Sequence, residues 1–211
     1  MTDSELCPRC AKPAALCVCQ DVEPINNRLH LLILQHPQEQ DVELGTARLT
    51  ALHFKKATVK VGLSWPSLAK ALGEAADPKR WAVLYLGSAQ AAKFPAGRTV
   101  IALNKKGDPL PDQDEALKGL QGVIVLDGSW SQAKTLWWRN AWLLKARRIA
   151  LKPNRPSRYG SLRREARKEA ISSLEATALL MSTLENNPAI SDALHASFEK
   201  LLTRYRQLKA S

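Results

Sequence analysis

The chain has 211 residues, 45% of them apolar, with 31 Lys and Arg against 20 Asp and Glu and a formal net charge of +11. That length and apolar content suit one sizeable domain with a small appendage and exclude a disordered chain. No apolar run approaches the ~20 residues needed to span a bilayer, and Met1-Thr-Asp-Ser-Glu-Leu-Cys-Pro lacks the charged-then-apolar layout of a signal peptide, so a soluble, cytoplasmic protein with no membrane partner is expected. A pI near 9.7 points to an anionic partner, most plausibly nucleic acid. The charge is concentrated: eleven basic residues fall between Arg139 and Lys168, opposed by Glu165 alone. A charge run is usually a solvated face, but an Arg-rich surplus this dense favours phosphate contact. Arg147, Arg148, Arg155, Arg158, Arg163 and Arg164 are the expected RNA-binding residues.

In chain order, the first feature is Cys7-Pro-Arg-Cys10 followed by Cys17-Val-Cys19, which together hold all four cysteines. In a reducing compartment C-x2-C-x6-C-x-C reads as a tetrahedral zinc site, because two close thiolate pairs can close on one metal through short loops. Two disulfides, or four unrelated thiols, are the plainer alternatives. Four thiolates leave no open coordination position, so Zn2+ bound by Cys7, Cys10, Cys17 and Cys19 would be structural. Residues 1–24 are expected to form this unit and residues 25–211 the main domain.

Arg28 to Gln35 then reads as a first strand, with His36-Pro37-Gln38-Glu39 at its carboxyl end. Leu44 to Leu52 looks like a helix entered through Gly45, Thr58 to Gly62 a short strand, and Pro66 to Ala76 a helix. Arg80 to Leu86 is a further strand ending in Gly87-Ser88-Ala89-Gln90, and Arg98 to Leu103 another. Apolar strands alternating with helices indicate an α/β domain, a mostly parallel sheet with helices on both faces. No GxGxxG and no P-loop occurs, so no dinucleotide partner is expected.

Gly122 to Leu126 reads as a buried parallel strand, and it leads into Asp127-Gly128-Ser129-Trp130. Ligands of open α/β sheets sit outside the carboxyl ends of strands. Asp127 is the lone charged side chain between Gly119 and Lys134, so it is either a turn-making acceptor or a reacting group. Ser129 suits the N-cap of the following helix. On that helix Trp130, Ala133, Trp137, Ala141 and Leu144 fall at helical spacing and are expected to face the core. Trp138 and Trp142 share a second face with Lys134 and Lys145; they either stack on bases or pack under the carboxyl-terminal helices. Ile149 to Leu151 reads as a last short strand, followed by the loop from Pro153 to Gly160. Leu162 to Leu184 and Ile190 to Leu208 read as long helices, the second with Leu194, Phe198, Leu201, Tyr205 and Leu208 as its buried stripe.

The four-cysteine start, H-P-x-E, a G-T-A helix, a strand before a G-S turn, D-x-[ST]-W and S-x-[LI]-E-A at Ser172 to Ala176, in that order over residues 7 to 180, resemble the DTW-domain proteins. Ser129 stands where the family usually has Thr, which keeps the hydroxyl and loses a methyl. The resemblance implies a SPOUT-like knotted core and a tRNA-uridine aminocarboxypropyltransferase, which moves the 3-amino-3-carboxypropyl group of S-adenosylmethionine (SAM) onto N3 of a uridine in tRNA. It also implies Asp127, Ser129 and Trp130 as catalytic residues. Leu86, Gly87, Ser88, Leu126, Gly128, Ser129, Trp130 and Leu151 would hold SAM. Glu39, Thr46 and Glu175 are further candidates, each with an ordinary cap or buried hydrogen bond as the plain alternative, and His36 is expected to be structural. Two rival readings remain: a SAM-dependent RNA methyltransferase of the same fold, and a non-enzymatic zinc and RNA-binding adaptor.

Overall fold

The computed structural model describes residues 6–84, 93–153, 155–160, 162 and 171–210. Its centre is a six-stranded sheet in the order β2-β1-β5-β3-β6-β4. The strands are β1 (His30–Gln35), β2 (Ala57–Val61), β3 (Trp81–Leu84), β4 (Val100–Leu103), β5 (Gly122–Asp127) and β6 (Arg147–Leu151). The first five neighbours in that order run parallel, and β4 closes one edge antiparallel to β6. The α/β class and the parallel core expected from the sequence are both present. The antiparallel edge has no periodicity signature of its own.

The central strands are apolar on both faces, as a sheet covered on two sides requires. Leu31, Ile33, Val123, Val125, Ala82 and Ile149 point into one core with α1 (Ala47–Leu52), α5 (Ser173–Leu184) and α6 (Pro188–Ala210). Leu32, Leu34, Ile124, Leu126 and Val83 point into the other with α2 (Leu68–Leu72) and α4 (Trp130–Arg139). A short helix, α3 (Gln113–Leu117), is tied to β4 by Gln113, whose amide bonds both the N–H and the carbonyl of Ala102.

Several elements start later than their sequence patterns suggest, as β1, α1 and β4 do and as α5 does at Ser173, whereas β6 and α6 extend beyond theirs. The α4 region shows the largest departure. The helix stops at Arg139, and Asn140 takes over: its side chain donates to the carbonyls of Leu136 and Leu63 and accepts from Trp65 N. The chain continues as a 3-10 turn over Ala141–Lys145, which changes the phase of the pattern. Ala133 and Leu136 are therefore the buried residues of α4, Trp137 is half-buried, and Leu144 is 51% exposed, so the predicted five-residue core face is corrected. Trp142 is buried with its indole N–H on the carbonyl of Trp65, while Trp138 is exposed, so these two do not share a face. In α6 the expected stripe holds for Leu194, Phe198 and Leu201, with Tyr205 half-buried and Leu208 exposed.

The N-terminal segment lies against the domain. Leu16, Val18, Cys19 and Val22 belong to the same buried cluster as α5 and α6. Lys200 pairs with Asp21, and the Arg204 guanidinium donates to the carbonyl of Cys17.

Glu175 fastens the loop after β6 to the start of α5. Ser172 and Glu175 form a capping box at the helix N-terminus. The Glu175 carboxylate also accepts from Ser157 Oγ at 2.9 Å and from the Arg158 N–H at 2.8 Å. Tyr159 pins the same loop by donating to the carbonyl of Leu44 and packing edge-on against Phe198. Glu175→Ala strips acceptors from the buried Ser172 and the part-buried donors of the loop and should cost about 1–3 kcal/mol. A lowered urea midpoint together with new proteolytic cleavage between residues 155 and 162 is the expected outcome. An unchanged midpoint would mean that water replaces the carboxylate without loss.

Candidate active site and four-cysteine cluster

The sheet order determines where a ligand fits. From β1 the chain moves outward to β2; from β5, the neighbour of β1, it moves to β6 on the opposite side. The following helices also take opposite faces, α1 on one and α4 on the other. Adjacent strands whose connections diverge leave a crevice at their carboxyl ends. Gln35 and Asp127 are the last residues of β1 and β5, and they are register partners.

Asp127 is 5% exposed. Side chains alternate along β5, so Asp127 points to the same face as Val123 and Val125, toward α5. Its Oδ2 accepts from Gln35 Nε2 at 2.8 Å, and its Oδ1 accepts from the hydroxyl of Ser173 at 2.5 Å. Ser173 is the first residue of α5, so the positive end of that helix faces the carboxylate as well. The Gln35 carbonyl oxygen Oε1 is buried without a hydrogen-bond partner among the described residues. Leaving such an acceptor unmet costs about 1–3 kcal/mol, a burden that an apolar side chain would avoid. Neither Gln35 nor Ser173 was singled out in the sequence. Gln35 adjoins the H-P-x-E motif and Ser173 falls within S-x-L-E-A, but nothing in either string says that the two motifs meet.

Gly128 follows at φ +155°, where a Cβ would come within 2.9 Å of Gln132 Cβ, so the turn after Asp127 needs glycine. Ser129 is the N-cap of α4, in a capping box with Gln132. Trp130 is half-buried, with the Lys134 ammonium 5.8 Å from its ring centre. Leu126 is buried on the α4 side, and Leu151 ends β6. β5, β3 and β6 are consecutive in the sheet, so the three turns expected to bind SAM follow three neighbouring strands. Leu86, Gly87 and Ser88, which follow β3, lie outside the described residues. His36 makes a turn: its Nδ1 accepts from Gln38 N and its N–H bonds the carbonyl of Asp127. Glu39 and Thr46 are buried nearby, in the turn after β1 and before α1.

The expected RNA-binding arginines separate into two kinds. Arg147 donates to the carbonyls of Lys79, Ala116 and Lys118, and Arg148 donates to that of Lys105 and covers the Trp137 ring. Arg158 pairs with Glu199, and Arg155 is exposed. Arg163 and Arg164 lie outside the described residues.

The four cysteines converge. Their sulfurs all lie within 4.8 Å of one another, with closest approaches of 3.4 Å for Cys7–Cys19 and Cys17–Cys19 and 3.6 Å for Cys10–Cys17. None is in a disulfide. A tetrahedron of sulfurs about 2.3 Å from a central zinc has edges of about 3.8 Å, so the arrangement fits one metal ion. Backbone N–H groups of Cys10 and Arg9 pull the Cys7 thiol down to about 6. Burial pushes Cys10 up to about 11 and Cys19 higher still. Such burial penalises thiolates unless a cation neutralises them.

Residues 4–206 match the family model of the DTW domain. The chain is 30% identical over 200 residues to tRNA-uridine aminocarboxypropyltransferase 2 of Macaca fascicularis and 29% identical over 193 residues to that of Mus musculus. It is 26% identical over 194 residues to the protein of the same name from Drosophila melanogaster. Each alignment takes in 89% of this chain; it covers 59% of the two mammalian proteins and 70% of the fly protein. The chain thus spans about three fifths of the length of the mammalian relatives that it matches. No solved structure matches the chain. The match runs from the cysteine cluster through the Asp127 crevice to α6, and the chain belongs to the DTW domain family.

Proposed function

We propose that this chain transfers the 3-amino-3-carboxypropyl group of SAM to N3 of a uridine in tRNA. The observation that carries the reading is a buried carboxylate, held on both oxygens, at the crevice of a sheet whose family relatives are named for aminocarboxypropyl transfer. Uridine N3 becomes a nucleophile as its proton leaves, and Asp127 accepts that proton. N3 forms its bond to the chain carbon attached to sulfur while the carbon–sulfur bond breaks. Both electrons of that bond go to the positive sulfur, which departs in neutral methylthioadenosine. Gln35 and Ser173 act as positioning residues, because a fixed carboxylate loses no time to rotamer search. Ser129 and Trp130 flank the reacting atoms from the start of α4. Backbone groups at Leu86, Gly87 and Ser88, at Leu126, Gly128, Ser129 and Trp130, and at Leu151 hold SAM.

In the same reading residues 25–211 are a SPOUT-like transferase domain, knotted topology included, that works on tRNA in the cytoplasm. Residues 1–24 are a structural zinc unit. Cys7, Cys10, Cys17 and Cys19 would hold the ion, which supplies folding energy to the segment and leaves no position for substrate. Arg155, Arg158, Arg163 and Arg164 contribute phosphate contacts, and Arg147 and Arg148 add positive field while bracing the backbone.

SAM labelled in the aminocarboxypropyl chain should label tRNA, SAM labelled in the methyl group should not, and methylthioadenosine should be the by-product. Methyl label in tRNA, with adenosylhomocysteine released, would make the protein a methyltransferase instead. Asp127→Asn should still fold and bind SAM but lose ~10²–10⁴ in rate, the usual worth of a general base, whereas Ser129→Thr should be tolerated. Near-normal turnover of Asp127→Asn would reduce Asp127 to a turn-making acceptor. Purified protein should carry one zinc per chain, and Cys10→Ser should lose it and loosen the N-terminal segment. Elemental analysis showing no metal in protein prepared without chelators would remove the zinc unit from this account.

A further inference from the structure

The outer side of α4 carries an alternation that starts at Trp130, beside the reacting atoms, and continues through Lys134 and Trp138, which the catalytic reading does not use. Trp130, Lys134 and Trp138 recur at four-residue steps, which places them in one stripe along the helix. At about 1.5 Å per residue the stripe runs about 12 Å from the turn after Asp127 to Trp138. Trp138 is 79% exposed, more than any other large hydrophobic side chain among the described residues. An indole left in water adds nothing to the core and loses the benefit of burial. Beyond it, the 3-10 turn presents Leu144, 51% exposed, at the edge of a groove of about 760 Å³. Leu103 and Leu110 also line this groove, and the exposed Lys79, Lys105 and Lys145 stand around it, with Asp112 and Glu115 on one wall.

The charge along the α4 stretch itself is one-sided. From Gly128 to Arg148 there are five basic residues and no carboxylate. Arg147 and Arg148 are committed to backbone carbonyls, which leaves Lys134, Arg139 and Lys145 as the exposed cations of the stretch. A protein-binding patch favours a contiguous apolar centre depleted in lysine. Here aromatic rings alternate with ammonium groups instead. That pattern suits a single-stranded nucleic acid, whose bases stack on rings while its phosphates meet cations.

We propose that the outer face of α4, continued into the groove beside Leu144, is a docking track for an unpaired stretch of the substrate RNA. Trp138 stacks a base that flanks the target uridine, and Lys134 and Lys145 neutralise neighbouring phosphates. The proposal rests on the tRNA reading above.

The test measures binding of an unmodified tRNA transcript to the full chain by fluorescence anisotropy across a salt series. Trp138→Ala should weaken binding about tenfold, within the range for losing one stacked base. Trp138→Phe should restore most of it. Lys134→Gln with Lys145→Gln should lower the salt slope by about 0.7–0.9 for each lost contact. If the wild type binds tRNA and Trp138→Ala binds it equally well, this surface is overturned and the tRNA reading stands. Trp138→Ala that splits an oligomer of the wild type while keeping its RNA affinity assigns the face to contact between copies and also overturns the track. A wild type that binds no tRNA at all overturns the substrate reading and the track together.

Discussion

The site depends on one pairing in the sheet. Gln35 and Asp127 stand opposite each other at the carboxyl ends of β1 and β5. A slip of one residue would turn Asp127 to the α4 face and put Leu126 in its place, because side chains alternate along a strand. The register is held by the buried residues of both strands, which fill two separate cores. Packing on both faces of the sheet therefore fixes the position of a single carboxylate. Ser173 completes the arrangement from a helix 46 residues later in the chain, and Glu175 fixes the start of that helix against the loop from β6.

The cysteine cluster poses a different physical problem. Four thiols stand at van der Waals contact, and burial of Cys10 and Cys19 opposes the loss of their protons, while backbone N–H groups ease it at Cys7. A divalent ion reverses the balance by neutralising thiolates at the centre of the group. The segment that carries them is not separate from the domain, since Leu16 and Val18 lie in the core beneath α6. An ion held there would brace α6 through the contacts of Lys200 and Arg204.

The tryptophans and arginines show where pattern reading loses force. Periodicity assumes that a helix keeps its phase, and Asn140 breaks the phase of α4 by taking the Leu136 carbonyl for its own side chain. Trp142 consequently becomes a core residue and Trp138 a surface one. Charge density alone likewise cannot separate an arginine that braces backbone from one that faces solvent. Arg147 and Arg148 have long, multiply donating side chains, and the carbonyls of Lys79, Ala116, Lys118 and Lys105 lie within their reach.

By itself the sequence determined what is local or periodic: the cysteine spacing, the apolar runs of the central strands, the capped turn from Asp127 to Trp130, and the order of motifs that places the chain in its family. These are legible because each depends on residues a few positions apart. Tertiary structure alone decided the strand order, the antiparallel edge made by β4, and the meeting of Gln35 and Ser173 on Asp127. Those contacts join residues 46 and 92 positions apart. No spacing rule reaches that far, because the partners are brought together by burying both faces of the sheet at once.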